Sequence, residues 1–294
     1  MTTAKAWFNS LRPHQWIKNG FILAPLVFAQ KVFSVHELVE SVQAVIAFCA
    51  LSSAVYIFND LVDLEADRNH PVKRKRPLAS GAVSTRLAVV TGVIFVIGAM
   101  LWGWGLGYHV FIIMGIYLVI QLLYNVRLKE VVILDIFCVS SGFFLRVMAG
   151  ANAIDVPMSR WLIICSILIA MFLTLCKRRN ELMILGKDKA GSHRKVLDEY
   201  DVHLLDQLIG IIAGSTLLSY LLYCLSEETM EKFHTDRLIY TFPFVLYGVF
   251  RYLYLIHHKR EGGSPEKLFF SDRPLLLSVV LWGLASTLIT ARVF

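Results

Sequence analysis

Nine apolar stretches, each close to the length that a helix needs to cross a bilayer, constrain the fold of this 294-residue chain most. About 20 residues of α-helix span the hydrocarbon core of a membrane. Only 17% of the residues are charged, against about 25% in soluble domains. The sequence therefore predicts an all-α, polytopic membrane protein of about nine transmembrane helices. The stretches cover residues 16–33, 39–58, 87–106, 109–125, 131–151, 161–176, 204–225, 238–256 and 274–293.

The loops between these stretches differ strongly in positive charge, and the difference predicts their orientation. Lys and Arg accumulate on the cytoplasmic side of membranes. If successive loops lie on alternate sides of the membrane, the loops of one side carry 22 of the 29 Lys and Arg residues, and those of the other side carry five. We therefore expect a multi-pass protein of the inner (plasma) membrane with a cytoplasmic amino terminus. Topology alone explains the net charge of +7, and attraction to anionic lipids or phosphorylated substrates is a second explanation.

The cysteines and the amino terminus give two further expectations. All five cysteines fall in or at the ends of apolar stretches, so we expect small core residues rather than disulfides or metal ligands. The chain shows no short apolar core followed by a small-residue cleavage site, so we expect no cleavable signal peptide.

An acidic motif, Asn-Asp-x-x-Asp-x-x-x-Asp, begins at Asn59, directly after the second apolar stretch. On an α-helix Asp60, Asp63 and Asp67 share one face within roughly 60°. Such carboxylates repel one another and face the negative end of the helix dipole, so they favour a bound cation. Mg²⁺ takes oxygen ligands and is usually held by one or two carboxylates together with substrate phosphates. The motif predicts a Mg²⁺ and diphosphate site with all four residues as ligands, although a solvated acidic helix end is the alternative.

A basic run, residues 68–76, follows the acidic motif and is a candidate for binding phosphate. Arg76 is the stronger candidate, because Pro77 restricts its backbone and so limits where its planar donor group points. Lys73 either contacts phosphate as a point charge or serves only as a topology signal at the lipid headgroups.

Two residues near the amino terminus, Lys18 and Asn19, lie more than a turn beyond Pro13, which suits the first position of a helix. Lys18 then lies at the entry to the membrane. It either contacts a phosphate in a central cavity or extends outward to the interface.

The segment around the fifth apolar stretch contributes Tyr124, Lys129, Asp135 and Arg146. A carboxylate inside a span is costly, so Asp135 is expected to face a water-filled cavity or a partner. Arg146 follows eleven residues later on the same face but about 16 Å further along the axis, so direct pairing is not expected. Arg146 either binds a substrate deep in the cavity or extends to the interface.

The acidic motif after a second span, nine predicted spans and a basic loop behind the motif resemble the UbiA superfamily of intramembrane prenyltransferases. The resemblance covers nearly the whole chain and implies one domain, residues 1–294, with helices around a central cavity open to the cytoplasmic side and to lipid. Further segments resemble the decaprenyl-phosphate phosphoribosyltransferase branch, where the usual second aspartate-rich motif is replaced by Tyr124, Arg127, Lys129 and a single Asp135. These segments are residues 11–19, 124–129, 134–150 and 177–182 and an Arg-x-x-Leu-x-x-Tyr pattern ending at Tyr200.

The resemblance implies transfer of 5-phosphoribose from 5-phosphoribosyl diphosphate (PRPP) to a polyprenyl phosphate, with Mg²⁺, for cell-envelope arabinan synthesis. The implied partners are these two substrates and membrane lipids, with no nucleic acid. Aromatic prenyl transfer, as in a 4-hydroxybenzoate polyprenyltransferase, is the alternative, and a lipid or ion transporter is a second. The implied catalytic residues are Asp60, Asp63, Asp67 and Lys129. The implied substrate-binding residues are Lys18, Asn19, Asn59, Lys73, Arg76, Tyr124, Asp135 and Arg146.

Overall fold

The computed structural model describes residues 3–70, 72–185, 195–259, 268 and 271–290, and every regular element in these ranges is a helix. The chain divides into two compact units. Unit 1 comprises Met1–Lys129 and Ser141–Met158, and unit 2 comprises Glu130–Ser140 and Ser159–Phe294. One long helix therefore contributes its beginning to unit 2 and the rest to unit 1.

Unit 1 is built from long helices joined by short 3₁₀ segments. Its elements in chain order are α1 (Thr3–Ser10), a 3₁₀ helix (Pro13–Leu23), α2 (Ala24–Phe28), α3 (Val35–Val62), α4 (Leu64–Asn69), a 3₁₀ turn (Lys73–Lys75), α5 (Thr85–Leu106), α6 (Tyr108–Val126), a 3₁₀ turn at the boundary (Leu128–Glu130) and the later part of α7 (Leu134–Ala153).

Unit 2 begins with the first residues of α7. Its further elements are α8 (Arg160–Leu185), a 3₁₀ helix (Lys195–Glu199), α9 (Val202–Leu225), α10 (Glu227–Phe233), a 3₁₀ helix (Arg237–Thr241), α11 (Phe242–Tyr254) continued by a π-helical turn (Leu255–Lys259), and α12 (Arg273–Thr290).

The prediction of an all-α, multi-pass membrane protein is confirmed, whereas the count of nine spans is not. Within the described residues, seven helical segments are long and apolar enough to cross a membrane. The predicted span 16–33 lies on the 3₁₀ helix Pro13–Leu23 and the short α2, because a new helix begins at Ala24 with Pro25 in its first turn. The predicted span 161–176 lies on α8, which is not among the seven segments and which continues into a charged stretch, Lys177–Arg179.

The core of unit 1 forms where α3 packs against α5, α6 and α7. Ala44, Phe48 and Leu51 on α3 are fully buried, together with Met114 of α6. Small residues let the backbones approach: a Cβ on Gly150 of α7 would collide with the carbonyl of Ile22. The 3₁₀ helix Pro13–Leu23 is therefore packed directly on α7, and this contact fixes the position of Asn19.

The core of unit 2 is formed by α8, α9, α11 and the segment 195–200. Leu175, Leu197, Leu205 and Tyr252 are among its largest fully buried side chains. Pro243, which interrupts the predicted span 238–256, falls in the first turn of α11, where its missing N–H is not needed. All five cysteines are free, as expected from the sequence.

Candidate active site

The acidic motif lies where α3 ends and α4 begins. Asn59 and Asp60 belong to the last turn of α3, Asp63 is the residue between the helices, and Asp67 lies in α4. The backbone N–H of Asp67 donates to the Asp63 carbonyl at 2.8 Å, so helical hydrogen bonding continues through the break. The predicted shared face is therefore kept, with Asp60 and Asp67 buried and Asp63 half-buried.

Each of these carboxylates is paired with a cation. Arg76 bridges Asp60 at 3.2 Å and Asp67 at 2.5 Å, and Arg12 also bonds Asp60. The ammonium of Lys129 lies 2.7 Å from Asp63. These opposite charges offset part of the free energy that it costs to remove the buried acids from water.

Asn59 links the acidic motif to α6. Its side-chain amide donates to Asp63 Oδ2 at 3.1 Å and to Asn125 Oδ1 at 2.9 Å. These bonds hold the Asp63 carboxylate toward α6. The chain continues from the end of α6 to Lys129. Asn125 is a site residue that sequence analysis missed, although its place one residue after Tyr124 was a usable signal.

Arg12 is the second residue that sequence analysis missed. It adopts a left-handed backbone conformation with φ 52°, which is uncommon for a residue other than glycine. Its guanidinium carbon lies 5.0 Å from the centre of the Tyr56 ring. The sequence did contain a signal for Arg12. Like Arg76, which precedes Pro77, it directly precedes a proline, Pro13.

The acidic motif offers oxygen donors for a divalent ion. Within the described part of the chain, no group of three or more His, Cys, Asp or Glu side chains converges closely enough to hold a metal by itself. Asp60 and Asp67 nevertheless share a single cationic group, Arg76. Two carboxylates that share one cation provide the oxygen chemistry that Mg²⁺ requires when substrate phosphates supply further ligands.

Two other predicted residues, Asn19 and Arg146, come together in the interior of unit 1. The Arg146 guanidinium donates to Asn19 Oδ1 at 2.7 Å, to the Gly142 carbonyl at 2.7 Å and to the Tyr117 hydroxyl at 3.0 Å. Asn19 in turn donates to Ser52 Oγ at 3.3 Å. Arg146 is therefore fixed inside the helix bundle of unit 1 and does not extend to the interface, and it does not pair with Asp135.

The remaining predicted residues of unit 1 are Lys18, Lys73 and Tyr124, and all three are half-buried. Burial lowers the pKa of Lys73, and the neighbouring charge of Arg76 lowers it further, while Asp67 and Asp63 act in the opposite direction. Lys73 therefore lies within the electrostatic reach of the acidic motif. The substrate contacts of these three residues stay predictions.

Asp135 lies in unit 2, in a closed cluster with Arg178 and Tyr200. Its carboxylate accepts from Arg178 at 2.8 Å and from the Tyr200 hydroxyl at 2.8 Å. Tyr200 also accepts from the backbone N–H of Ile133 at 2.7 Å, and burial raises the pKa of its hydroxyl. The expectation that Asp135 faces a partner is met, and these bonds favour a structural role over the predicted contact with substrate, which stays a prediction.

Comparisons with known proteins show the family to which this chain belongs. The model of the UbiA prenyltransferase family matches residues 21–272, so the chain belongs to that family. A decaprenyl-phosphate phosphoribosyltransferase of Mycolicibacterium smegmatis is 32% identical over 93% of this chain and 89% of its own length. A protein of the same name from Corynebacterium glutamicum is 31% identical over 95% of this chain and 85% of its own.

The chain also shares its fold with solved structures. The structure of a UbiA homologue from Archaeoglobus fulgidus, solved with GPP and Mg²⁺ bound, has a TM-score of 0.73 and covers 97% of this chain and 99% of its own. At 17% identity this likeness shows the fold alone. The chain is an enzyme of the UbiA family, and the relatives confirm the predicted phosphoribosyltransferase branch over the aromatic prenyltransferase alternative.

Proposed function

We propose that this protein transfers 5-phosphoribose from PRPP to a polyprenyl phosphate, such as decaprenyl phosphate, at the cytoplasmic face of the plasma membrane. The observation that carries the proposal is the set of Asp60, Asp63 and Asp67, each paired with an Arg or Lys, in a chain whose relatives carry the phosphoribosyltransferase name. Cell-envelope arabinan synthesis is the setting that the resemblance implies.

The acidic motif would hold Mg²⁺ through Asp60 and Asp67, with Asp63 and Asn59 beside them. These residues fit Mg²⁺ because Asp60 and Asp67 both bond the Arg76 side chain and because they supply oxygen donors. The Mg²⁺-bound structure of the Archaeoglobus fulgidus homologue supports a divalent ion in this fold. When bound, the ion would neutralise negative charge on the diphosphate leaving group.

Arg12, Arg76 and Lys129 bind and orient the diphosphate from the protein side. Their donor groups already converge on the acidic motif, and such preorganised donors stabilise the charge that develops as a leaving group departs. The bond between ribose C1 and the diphosphate oxygen breaks, and its electron pair leaves with the diphosphate. An oxygen of the acceptor phosphate forms the new bond to C1.

No general base is needed for this reaction. The second pKa of a phosphate monoester is about 6, so the acceptor phosphate is largely dianionic at neutral pH. The residues around the site therefore position charges rather than remove a proton. Lys18, Lys73 and Tyr124 are proposed to contact the phosphates at the edge of the site.

The proposal is tested with purified protein in detergent. Labelled PRPP and polyprenyl phosphate are supplied in one reaction, and labelled prenyl diphosphate and 4-hydroxybenzoate in another, each with Mg²⁺ or with EDTA. We expect a labelled lipid product only in the first reaction and only with Mg²⁺. A prenylated aromatic product, or equal transfer in EDTA, would reject the proposal.

A further inference from the structure

Arg146 is a buried cation whose partners among the described residues are all uncharged. Its exposed fraction is only 6%. A guanidinium carries five N–H groups, and three of them are used by Asn19, Gly142 and Tyr117. The rings of Tyr117 and Phe143 lie against its charge, at 4.9 and 5.9 Å from the guanidinium carbon. A buried positive charge without a negative partner is costly, so this place favours an anion.

Within unit 1, polar side chains recur along two helices between the position of Arg146 and that of the acidic motif. On one side they are carried by α3 and on the other side by α6, and the hydrogen bond between Asn59 and Asn125 joins the two helices. A Cβ added to Gly142 would lie 3.2 Å from the Gln121 amide and 3.3 Å from Arg146 Nη1, so both polar groups reach the same glycine. We call these residues the polar strip: Ser52, Tyr56, Asn59, Gln121 and Asn125.

A strip of this kind is unusual between apolar helices. Polar residues inside membrane spans are costly and mark the path or the site of a polar ligand. The polar strip therefore favours a sugar between the acidic motif and Arg146, rather than the chain of a polyprenyl lipid.

The two ends of the polar strip are too far apart for one diphosphate group. Asn19 bonds both Arg146 and Ser52, and Ser52 precedes Asp60 by eight residues on α3. At 1.5 Å per residue this is about 12 Å along the helix axis. A donor that carries phosphate at both ends of a sugar ring matches two anion sites with a polar strip between them.

The geometry points to Arg146, oriented by Asn19 and Tyr117, as the residue that binds the 5-phosphate of the donor and so selects a phosphorylated pentose. This inference rests on the proposed function, since it assigns one group of the proposed donor. Arg146 contacts the substrate, whereas Asn19 and Tyr117 are positioning residues that hold its guanidinium.

The test compares two donors that differ only in the 5-phosphate: PRPP and ribosyl 1-diphosphate. Two charge-assisted hydrogen bonds are lost when Arg146 is replaced, so Arg146→Gln should lower kcat/KM for PRPP by roughly 100-fold. The same variant should change kcat/KM for ribosyl 1-diphosphate by less than about threefold. An equal loss with both donors, or a loss that appears as a raised KM for polyprenyl phosphate, would overturn the inference.

A milder pair of variants separates a positioning effect from damage to the fold. Tyr117→Phe removes one bond to Arg146, so it should lower kcat/KM for PRPP by about 5-fold to 10-fold and spare ribosyl 1-diphosphate. Tyr220→Phe is the matched control, because Tyr220 is a buried tyrosine of unit 2 whose hydroxyl bonds Thr241 and Trp282. Any effect of Tyr220→Phe should be the same with both donors. A donor-independent effect of Tyr117→Phe would count against the assigned role.

Calorimetry distinguishes failure of this inference from failure of the proposed function. If the wild-type protein transfers from neither donor, the proposed function fails. Binding of PRPP and of inorganic diphosphate, each with Mg²⁺, then tests the 5-phosphate contact alone. Arg146→Gln should weaken PRPP binding by at least tenfold and leave diphosphate binding unchanged. Equal weakening of both, or of neither, would overturn the inference.

Discussion

Two clusters of paired acids and bases, one in each unit, differ in how far their cations reach solvent. In unit 1 the Arg76 side chain is 29% exposed while it bonds the buried Asp60 and Asp67. In unit 2 the Arg178 side chain is 3% exposed and Asp135 is fully buried. A partly exposed arginine can release the carboxylate that it bonds and bind a substrate phosphate instead. A fully buried acid–base pair stabilises the fold. The accessibility of the cation, rather than charge pairing itself, therefore distinguishes the Arg76 cluster from the Arg178 cluster.

The largest expected effect is on activity at Asp60. Asp60→Asn removes the charge at nearly constant shape, so turnover should fall by at least about 1,000-fold, because the diphosphate loses its anchoring site. Product formation is measured together with thermal unfolding in detergent. Asp201→Asn is the matched control, because Asp201 caps α9 from an exposed position and asparagine caps equally well. Substantial activity in folded Asp60→Asn protein would remove Asp60 from the mechanism.

The closed pair of unit 2 should respond in stability instead. Asp135→Asn removes the fully buried acid that pairs with Arg178, whereas Glu181, which also pairs with Arg178, is partly exposed, so the loss should cost about 3–5 kcal/mol of folding stability. Unfolding in detergent is measured with the single variant and with a second variant that combines it with Arg178→Gln. The double variant should be less destabilised than the single one. If Asp135→Asn lowers kcat in a protein of normal stability, Asp135 belongs to the site after all.

A conservative change at Arg76 separates charge from geometry in the exposed cluster. Arg76→Lys keeps the positive charge but cannot bond Asp60 and Asp67 with one planar group, so kcat/KM should fall about 10-fold to 100-fold. Stability should change little, because the cation is partly exposed. Steady-state kinetics with PRPP measure the loss. Arg237→Lys is a control at a position outside the site, and equal losses in the two variants would contradict the bridging role.

The packing that places Asn19 gives a smaller expected effect. Gly150→Ala brings a Cβ against the carbonyl of Ile22, so the 3₁₀ helix Pro13–Leu23 has to shift, at about 1–2 kcal/mol. Gly210→Ala on α9 is the control, because a Cβ there meets no atom within 4 Å. Thermal unfolding and the KM for PRPP are measured for both. No difference between the two variants would show that Gly150 does not position Asn19.

The smallest expected effect concerns the pH dependence of donor binding. The pKa of Lys73 is lowered, so its positive charge is lost as the pH rises through that lowered value, and PRPP binding should weaken on the alkaline side. Lys73→Arg stays charged throughout this range. KM for PRPP, measured from neutral to alkaline pH, should therefore rise more in the wild type than in Lys73→Arg. Parallel curves would exclude Lys73 from donor binding.

Much of the fold and part of the site could be predicted from local patterns. The apolar stretches identified the long helices, and the spacing of Asp60, Asp63 and Asp67 identified a shared face that the structure retains. The 3₁₀ form of Pro13–Leu23 was not predictable, because apolar composition does not distinguish one kind of helix from another in a short stretch. In the structure this segment packs closely on α7, where the Ile22 carbonyl lies against Gly150.

The sequence by itself determined the membrane class, the acidic motif and the neighbouring Arg76, because these features depend on composition and on spacing within one or two helical turns. Only the tertiary structure decided that Arg12 bonds Asp60 across 48 residues, that Lys129 bonds Asp63 across 66, and that Asp135 is closed off by Arg178. The physical reason is that these partners lie on segments far apart in the sequence. Their meeting depends on how side chains of distant segments pack, and the periodicity of a single helix carries no information about that packing.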